Sequence, residues 1–148
     1  MAIINLSINF VVMMIITYSL GFRPGLSGVA YAFFVVLIVF FMVYGISLFL
    51  SIVMVKVRDL THIIDLLFQL LFWGSAVFFS IDDIHGTTGD VIRLNPLAIL
   101  IDAARKGFVL GQISHVNEIM FISIGVVVLV FLGQIYFNKK IKRVAEFF

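Results

Sequence analysis

Four runs of apolar residues, each close to bilayer length, constrain this chain more than any other feature. They cover about 2–20, 29–55, 62–81 and 119–137. A helix needs about 20 mostly apolar residues to cross the hydrocarbon core, and it pairs its own backbone polar groups there. The sequence therefore predicts an all-α integral membrane protein with four transmembrane helices, read as one membrane domain over 1–148. Composition agrees: 63% of the residues are hydrophobic and 12% are charged, where soluble domains carry about 25% charged residues. The second run is long enough to tilt or to extend past the bilayer. The start, "MAIINLSINF", has no basic n-region and no small-residue cleavage pattern behind its long apolar run. The first segment is thus expected to stay as a span and not to be removed as a signal peptide. With no cysteine present, disulfides, thiolate metal sites and cysteine nucleophiles are excluded.

The connections set the orientation. "GFRPGLSG" is a tight Gly/Pro turn, "KVRDLT" is short and basic, and the connection from Asp82 to Glu118 is long. Lys139, Lys140, Lys142 and Arg143 in the tail fall on the same side as Lys56 and Arg58. Arg23, Arg93, Arg105 and Lys106 fall on the other. Cytoplasmic loops carry the excess of Lys and Arg. The density of the tail places both termini and "KVRDLT" in the cytoplasm and the long connection outside.

Inside that long connection, "RLNPLAILIDAARKG" reads as a short helix. Asn95 suits the cap and Pro96 the first helical position, where a missing N–H costs nothing. Arg105 and Lys106 fall in the last turn, where cations favour the dipole, and Gly107 is expected to end it. Asp102, Arg105 and Lys106 share one face; Leu97, Leu100, Ile101, Ala104 and Phe108 share the other. At about 1.5 Å per residue the helix is too short to span. It is expected to lie in or dip into the outer interface, apolar face down, with Asp102, Arg105 and Lys106 toward water or a pore mouth.

No enzyme signature is present: GxxxxGK[ST], HExxH and GxSxG are all absent from the sequence. No catalytic or metal-binding residues are assigned, and Asp82, Asp83, His85 and Asp90 read as solvated loop polars without ligand spacing. The third run is more informative. Asp65, Gln69, Phe72 and Trp73 continue at helical spacing toward Ala76 and Ser80. An acid in lipid is costly, so this stripe is expected to face a bundle or a watery path, where aromatic faces and polar neighbours suit a sugar-like or amphiphilic substrate. The alternative is a polar contact between helices, with Asp65 snorkelling to the surface. Asn5 with Asn9, and Gly125 with Gly133, read as helix-packing positions, while His62 and His115 are assigned no specific role. Arg58 beside Asp59 is either an interfacial anchor or a contact surface for a cytoplasmic partner.

Two of these stretches occur together in a recognisable order. "VKVRDLTHIIDLLFQLLFW" followed by "LNPLAILIDAARKGFVLG" resembles the permease subunits of ABC-type polysaccharide and polyol-phosphate exporters, which export O-antigen, capsule or teichoic-acid chains. The matching positions are Arg58, Asp59, Gln69, Asn95, Pro96, Leu97 and Arg105, and the tail "FNKKIKRVAEFF" also fits. The resemblance runs from about Asn5 onward and corresponds to the carboxy-terminal four-span portion. The family's amphipathic helix, first two spans and main coupling helix have no counterpart here, and Ala76 stands where the family has proline. The resemblance implies a short extracellular re-entrant or gate helical pair between the last two spans, at about 91–110, with Asn95, Pro96, Asp102 and Arg105 as gate residues.

It further implies a substrate path along Asp65, Gln69, Phe72 and Trp73, and an ATPase-facing surface at Arg58 and Asp59. The implied protein is a multi-pass transport permease of the bacterial cytoplasmic membrane and not an enzyme. It needs no cofactor of its own, because ATP is used by a separate ABC-type ATP-binding subunit. A permease homodimer, the lipid bilayer and a lipid-linked polysaccharide are the implied partners; nucleic acid is not. Two alternatives stay open: an exporter of drug or lipid cargo, and a non-transporting membrane remnant.

Overall fold

The computed structural model describes residues 2–23, 25–56, 60–75 and 77–145. Among these residues, six α-helices follow in chain order: α1 (Ala2–Ser19), α2 (Leu26–Lys56), α3 (Leu60–Gly74), α4 (Thr87–Arg93), α5 (Pro96–Arg105) and α6 (Val116–Ala145). A 3-10 turn at Ile81–Asp83 precedes α4, and a π turn at Lys106–Leu110 continues α5. No strand occurs among the described residues.

Among the described residues, two helices are long and apolar enough to cross a membrane, over Leu26–Met54 and Val116–Ile141, with mean hydropathies of 2.8 and 2.4. They match the second and fourth predicted spans. At about 1.5 Å per residue, helices of this length exceed a hydrocarbon core about 30 Å thick. α6 also absorbs much of the basic tail, because "NKKIKRV" carries no helix breaker. α1 and α3 are apolar but shorter, at 18 and 15 residues.

α3 ends at Gly74, short of the Ile81 expected from the third run. Side-chain hydrogen bonds at the helix end supply the reason. Ser75 Oγ donates to the Phe72 carbonyl at 3.1 Å, and the Gly74 carbonyl accepts from Asn95 Nδ2 at 3.0 Å. Side chains thus satisfy carbonyls that further helical N–H groups would otherwise take. Residues 77–80 leave the helix, and Ser80 leaves the Asp65 stripe with them.

α2 and α6 form the largest helix interface. Their close approach needs Gly45 and Gly133: a Cβ at Gly133 would sit 3.1 Å from the Gly45 carbonyl oxygen. Gly125, on the same helix, faces open space and takes no part. Against this pair packs α5, so that Val35, Ile38, Leu100, Ala103, Ile119 and Val126 make one buried cluster. A smaller cluster joins Ile81 and Ala98. Many large apolar side chains, Phe40, Leu66, Phe121 and Phe131 among them, stand exposed on the helices. Such surface is a liability in water and suits contact with lipid.

Candidate functional site

The segment around α5 is built first by Asn95. Its side-chain oxygen accepts from the Leu97 N–H at 3.0 Å, which caps α5, and Pro96 follows at the first helical position as expected. The same side chain, through Nδ2, holds the end of α3 at Gly74. Asn95 therefore fixes the start of α5 beside the Phe72–Trp73 end of α3.

Gly107 does not end the helix. The chain continues through the π turn and stops at Gly111, whose φ of 66° is left-handed. Packing explains the difference. A Cβ at Gly28 would lie 2.5 Å from Gly111 Cα and 2.6 Å from the Gly107 carbonyl oxygen, so the turn is pressed backbone to backbone onto the start of α2. The Tyr31 hydroxyl donates to the Ser114 carbonyl and pins the exit of the turn to α2.

The polar face of α5 does not look into water. Asp102 has no solvent exposure. Its Oδ2 lies 2.8 Å from Lys106 Nζ, one turn on, and 3.2 Å from His115 Nε2. Its Oδ1 accepts from Ser80 Oγ at 3.2 Å. A carboxylate only accepts, so the proton in the His115 contact sits on Nε2. Burial opposes ionisation of Asp102. The hydrogen bond and charge of Lys106, with hydrogen bonds from His115 and the Ile81 backbone, outweigh it and hold the carboxyl below its usual range. Burial likewise opposes the Lys106 charge, yet the hydrogen bonds and charges of Asp102 and Asp82 hold that ammonium above its usual range. Lys106 reaches Asp82 at 2.5 Å, so Asp82 is an ion-pair partner here and not simply a solvated loop polar. Arg105 Nη1 donates to the Phe79 carbonyl at 2.9 Å. Asp102 and Arg105 of α5 and Lys106 of the π turn thus all grip residues 79–82.

His115 carries a role that sequence reasoning did not assign. It sits at a φ of 56°, unusual for a non-glycine residue, immediately before α6. That backbone turn places its ring against Asp102 across 13 residues of sequence. The Asp102–Lys106 spacing (i, i+4) was visible in the sequence; Ser80, Asp82 and His115 as partners were not. No group of three metal-ligating side chains occurs among the described residues.

The stripe on α3 is placed differently. Asp65, Gln69, Phe72 and Trp73 are all exposed on this chain, and Ile64 is the buried residue of the helix. Phe72, Trp73 and Phe78 gather into an aromatic cluster at the helix exit, with ring centroids 5.5–6.1 Å apart. The Asn95–Gly74 hydrogen bond ties the exit of α3 to the start of α5. Arg58 and Asp59 lie outside the described residues. Two apolar clefts flank the core. One, of about 630 Å³, lies between α1, α2 and α5, with Asn9, Phe10, Phe33, Arg105 and Phe108 among its walls. The other, of about 520 Å³, lies between α2 and α6.

Residues 1–109 match the family model described as ABC-2 type transporter. This chain belongs to the ABC-2 type transporter family. The matched region includes α1 to α5 and most of the π turn, and therefore Ser80, Asp82, Asp102 and Lys106, while His115 lies beyond it. No curated protein matches the chain. Family membership makes it the membrane subunit of an ABC-type exporter: a transport permease that works with an ATP-binding subunit. That agrees with the two apolar helices of membrane-crossing length.

Proposed function

We propose that this permease moves cell-surface polysaccharide or polyol-phosphate polymer, carried on a lipid, across the bacterial cytoplasmic membrane. The observation that carries the reading is the junction at the end of α3, where the aromatic trio Phe72, Trp73 and Phe78 lies beside the Asn95 cap of α5. Aromatic faces next to hydrogen-bonding groups suit sugar rings, which offer apolar faces and polar edges. On this reading α1 and α3 also cross the bilayer, giving four spans with both termini cytoplasmic. Asp65, Gln69, Phe72 and Trp73 line the path. α4 and α5 form a re-entrant outer pair that gates it, with Asn95, Pro96, Asp102 and Arg105 as the gate residues.

Two permease copies enclose the path, and Arg58 and Asp59 face the ATP-binding subunit. ATP-driven closing of that subunit rocks the copies and lifts the outer pair. A ligand or nucleotide shifts such an equilibrium only through contacts that differ between the states. The ion pair of Lys106 with the exposed Asp82 is suited to differ. The test is polymer export in cells or vesicles holding this chain and its ATP-binding subunit, with the outer pair cross-linked between copies. Export should stop with the cross-link formed and return on its reduction; full export with the cross-link in place would remove the gate role. Arg58→Ala should leave ATP hydrolysis running while export falls, and unchanged export would remove Arg58 from coupling.

A second reading, drug or lipid cargo, draws on the cleft between α2 and α6. Its walls, including Phe34, Ile38, Phe41, Val126, Val130 and Phe131, are almost wholly apolar. Such a slit suits an acyl chain better than a sugar. Transport of a labelled phospholipid with no transport of polymer would favour it.

A further inference from the structure

α3 is attached to the rest of the described chain mainly at one end. Along its length only Ile64 is buried, and it shares no extensive interface with the other helices. At its exit, four polar ties converge on α5 and the π turn. Asn95 Nδ2 holds the Gly74 carbonyl at 3.0 Å, and Arg105 Nη1 holds the Phe79 carbonyl at 2.9 Å. Asp102 accepts from Ser80 at 3.2 Å, and Lys106 pairs with Asp82 at 2.5 Å. Asp102, fully buried, links the last two ties and adds His115 from the start of α6.

α5 is therefore held in two ways. Toward α2 and α6 it packs with apolar groups, Leu100 and Ala103 against Val35, Ile38 and Ile119. Toward the α3 exit it is held by directional contacts. Hydrogen bonds weaken steeply with angle and distance, and a buried charge left without its partner is expensive. If the exit of α3 is displaced, breaking these ties is the costly response, and carrying α5 along is the cheap one. The π turn offers the place to bend, since π geometry is common at functional sites and Gly28, Gly107 and Gly111 meet there without side chains between them.

We infer that Gly74, Phe79, Ser80 and Asp82, with α5 and Lys106, form one transmission joint, with Asp102 as its positioning residue, so that displacement of α3 is delivered to the outer helix. The functional meaning of the joint rests on reading α5 as part of the outer gate; its existence does not.

The test is a distance measurement on the full chain in phosphatidylcholine–phosphatidylglycerol vesicles. The sequence contains no cysteine, so nitroxides can be placed at will. One pair of labels replaces Leu66 on α3 and Leu94 before α5, both exposed at 62% and 82%. A control pair replaces Phe40 on α2 and Phe131 on α6. With Asp102 intact, the α3–α5 pair should give a single narrow distance distribution. Asp102→Asn should add a second, longer population while the control pair stays narrow. The same distribution in Asp102→Asn as in the parent, with the control intact, would overturn the joint. Should the control pair also broaden, Ser80→Ala decides: loosening of the α3–α5 pair over an intact control supports the joint, and an unchanged distribution overturns it. The readout involves no transport. An unchanged distribution in Asp102→Asn, in a permease that the cross-link does block, would be failure of this inference alone; a loosened distribution in a permease that the cross-link does not block would be failure of the gate reading alone.

Discussion

Replacing Asp102 with alanine deletes the acceptor shared by Lys106 at 2.8 Å, His115 at 3.2 Å and Ser80 at 3.2 Å. Removing one partner of a buried ion pair typically costs about 3–5 kcal/mol, because the other charge is left buried and uncompensated. Here the cost should fall at the low end, about 3 kcal/mol, since Lys106 keeps Asp82, whose side chain is 61% exposed. That is on the order of a hundredfold in the folded-to-unfolded ratio. Replacing both partners with apolar groups, Asp102→Leu with Lys106→Met, should recover most of the loss, because a buried pair exchanged for well-packed apolar side chains is often neutral in stability. Trp73 is the single tryptophan and stands one residue before Gly74, so its fluorescence reports loosening of the α3 exit during urea unfolding in detergent. Equal unfolding midpoints for Asp102→Ala and the parent would refute the reasoning. So would a double variant no more stable than the single one, since the coupling it rests on would then be absent.

Other expectations follow from the same geometry. The folded carboxyl of Asp102 ionises below its unfolded value of about 3.9. Its contribution is therefore full above that value and is lost as pH falls through the folded one. Lys106 is shifted upward, so its contribution is full below about 10.4 and is lost as pH rises through the folded value. Unfolding midpoints should thus be flat between these limits as far as this pair is concerned, with an acid-side loss that shrinks in Asp102→Ala. Asn95→Ala should destabilise α5 by about 1 kcal/mol through the lost cap, and somewhat more because the Gly74 carbonyl loses its donor, read from thermal melts. Gly28→Ala should cost about 1–3 kcal/mol, because the new methyl meets Gly111 and Gly107 backbone, whereas Gly125→Ala, mid-helix and facing open space, should not lower the same melt.

Much of the fold was legible because lipid imposes simple rules on sequence. The α2 and α6 runs are long and nearly free of charge, and helices formed where expected. Asn95-Pro96 announced the start of α5 through chemistry confined to neighbouring residues. What the sequence hid was contact between distant positions. The end of α3 depends on Asn95, 21 residues on, and the end of α5 depends on Gly28, far back in α2. The polar face of α5 read as solvent-facing because periodicity reports only that a face is polar. Burial with Ser80 and His115, and pairing of Lys106 with Asp82, satisfies such a face equally well. The α3 stripe was legible as a pattern, and on this chain its residues stay exposed, except that the stripe stops at Gly74.

The most direct test of the account is ATP-dependent translocation of lipid-linked polymer in vesicles containing this permease and its ATP-binding subunit, with the outer pair either free or cross-linked between copies. Polymer flux should require ATP, stop on cross-linking and resume on reduction of the cross-link. Polymer flux indifferent to the cross-link, or ATP-dependent movement of phospholipid with none of polymer, would contradict it.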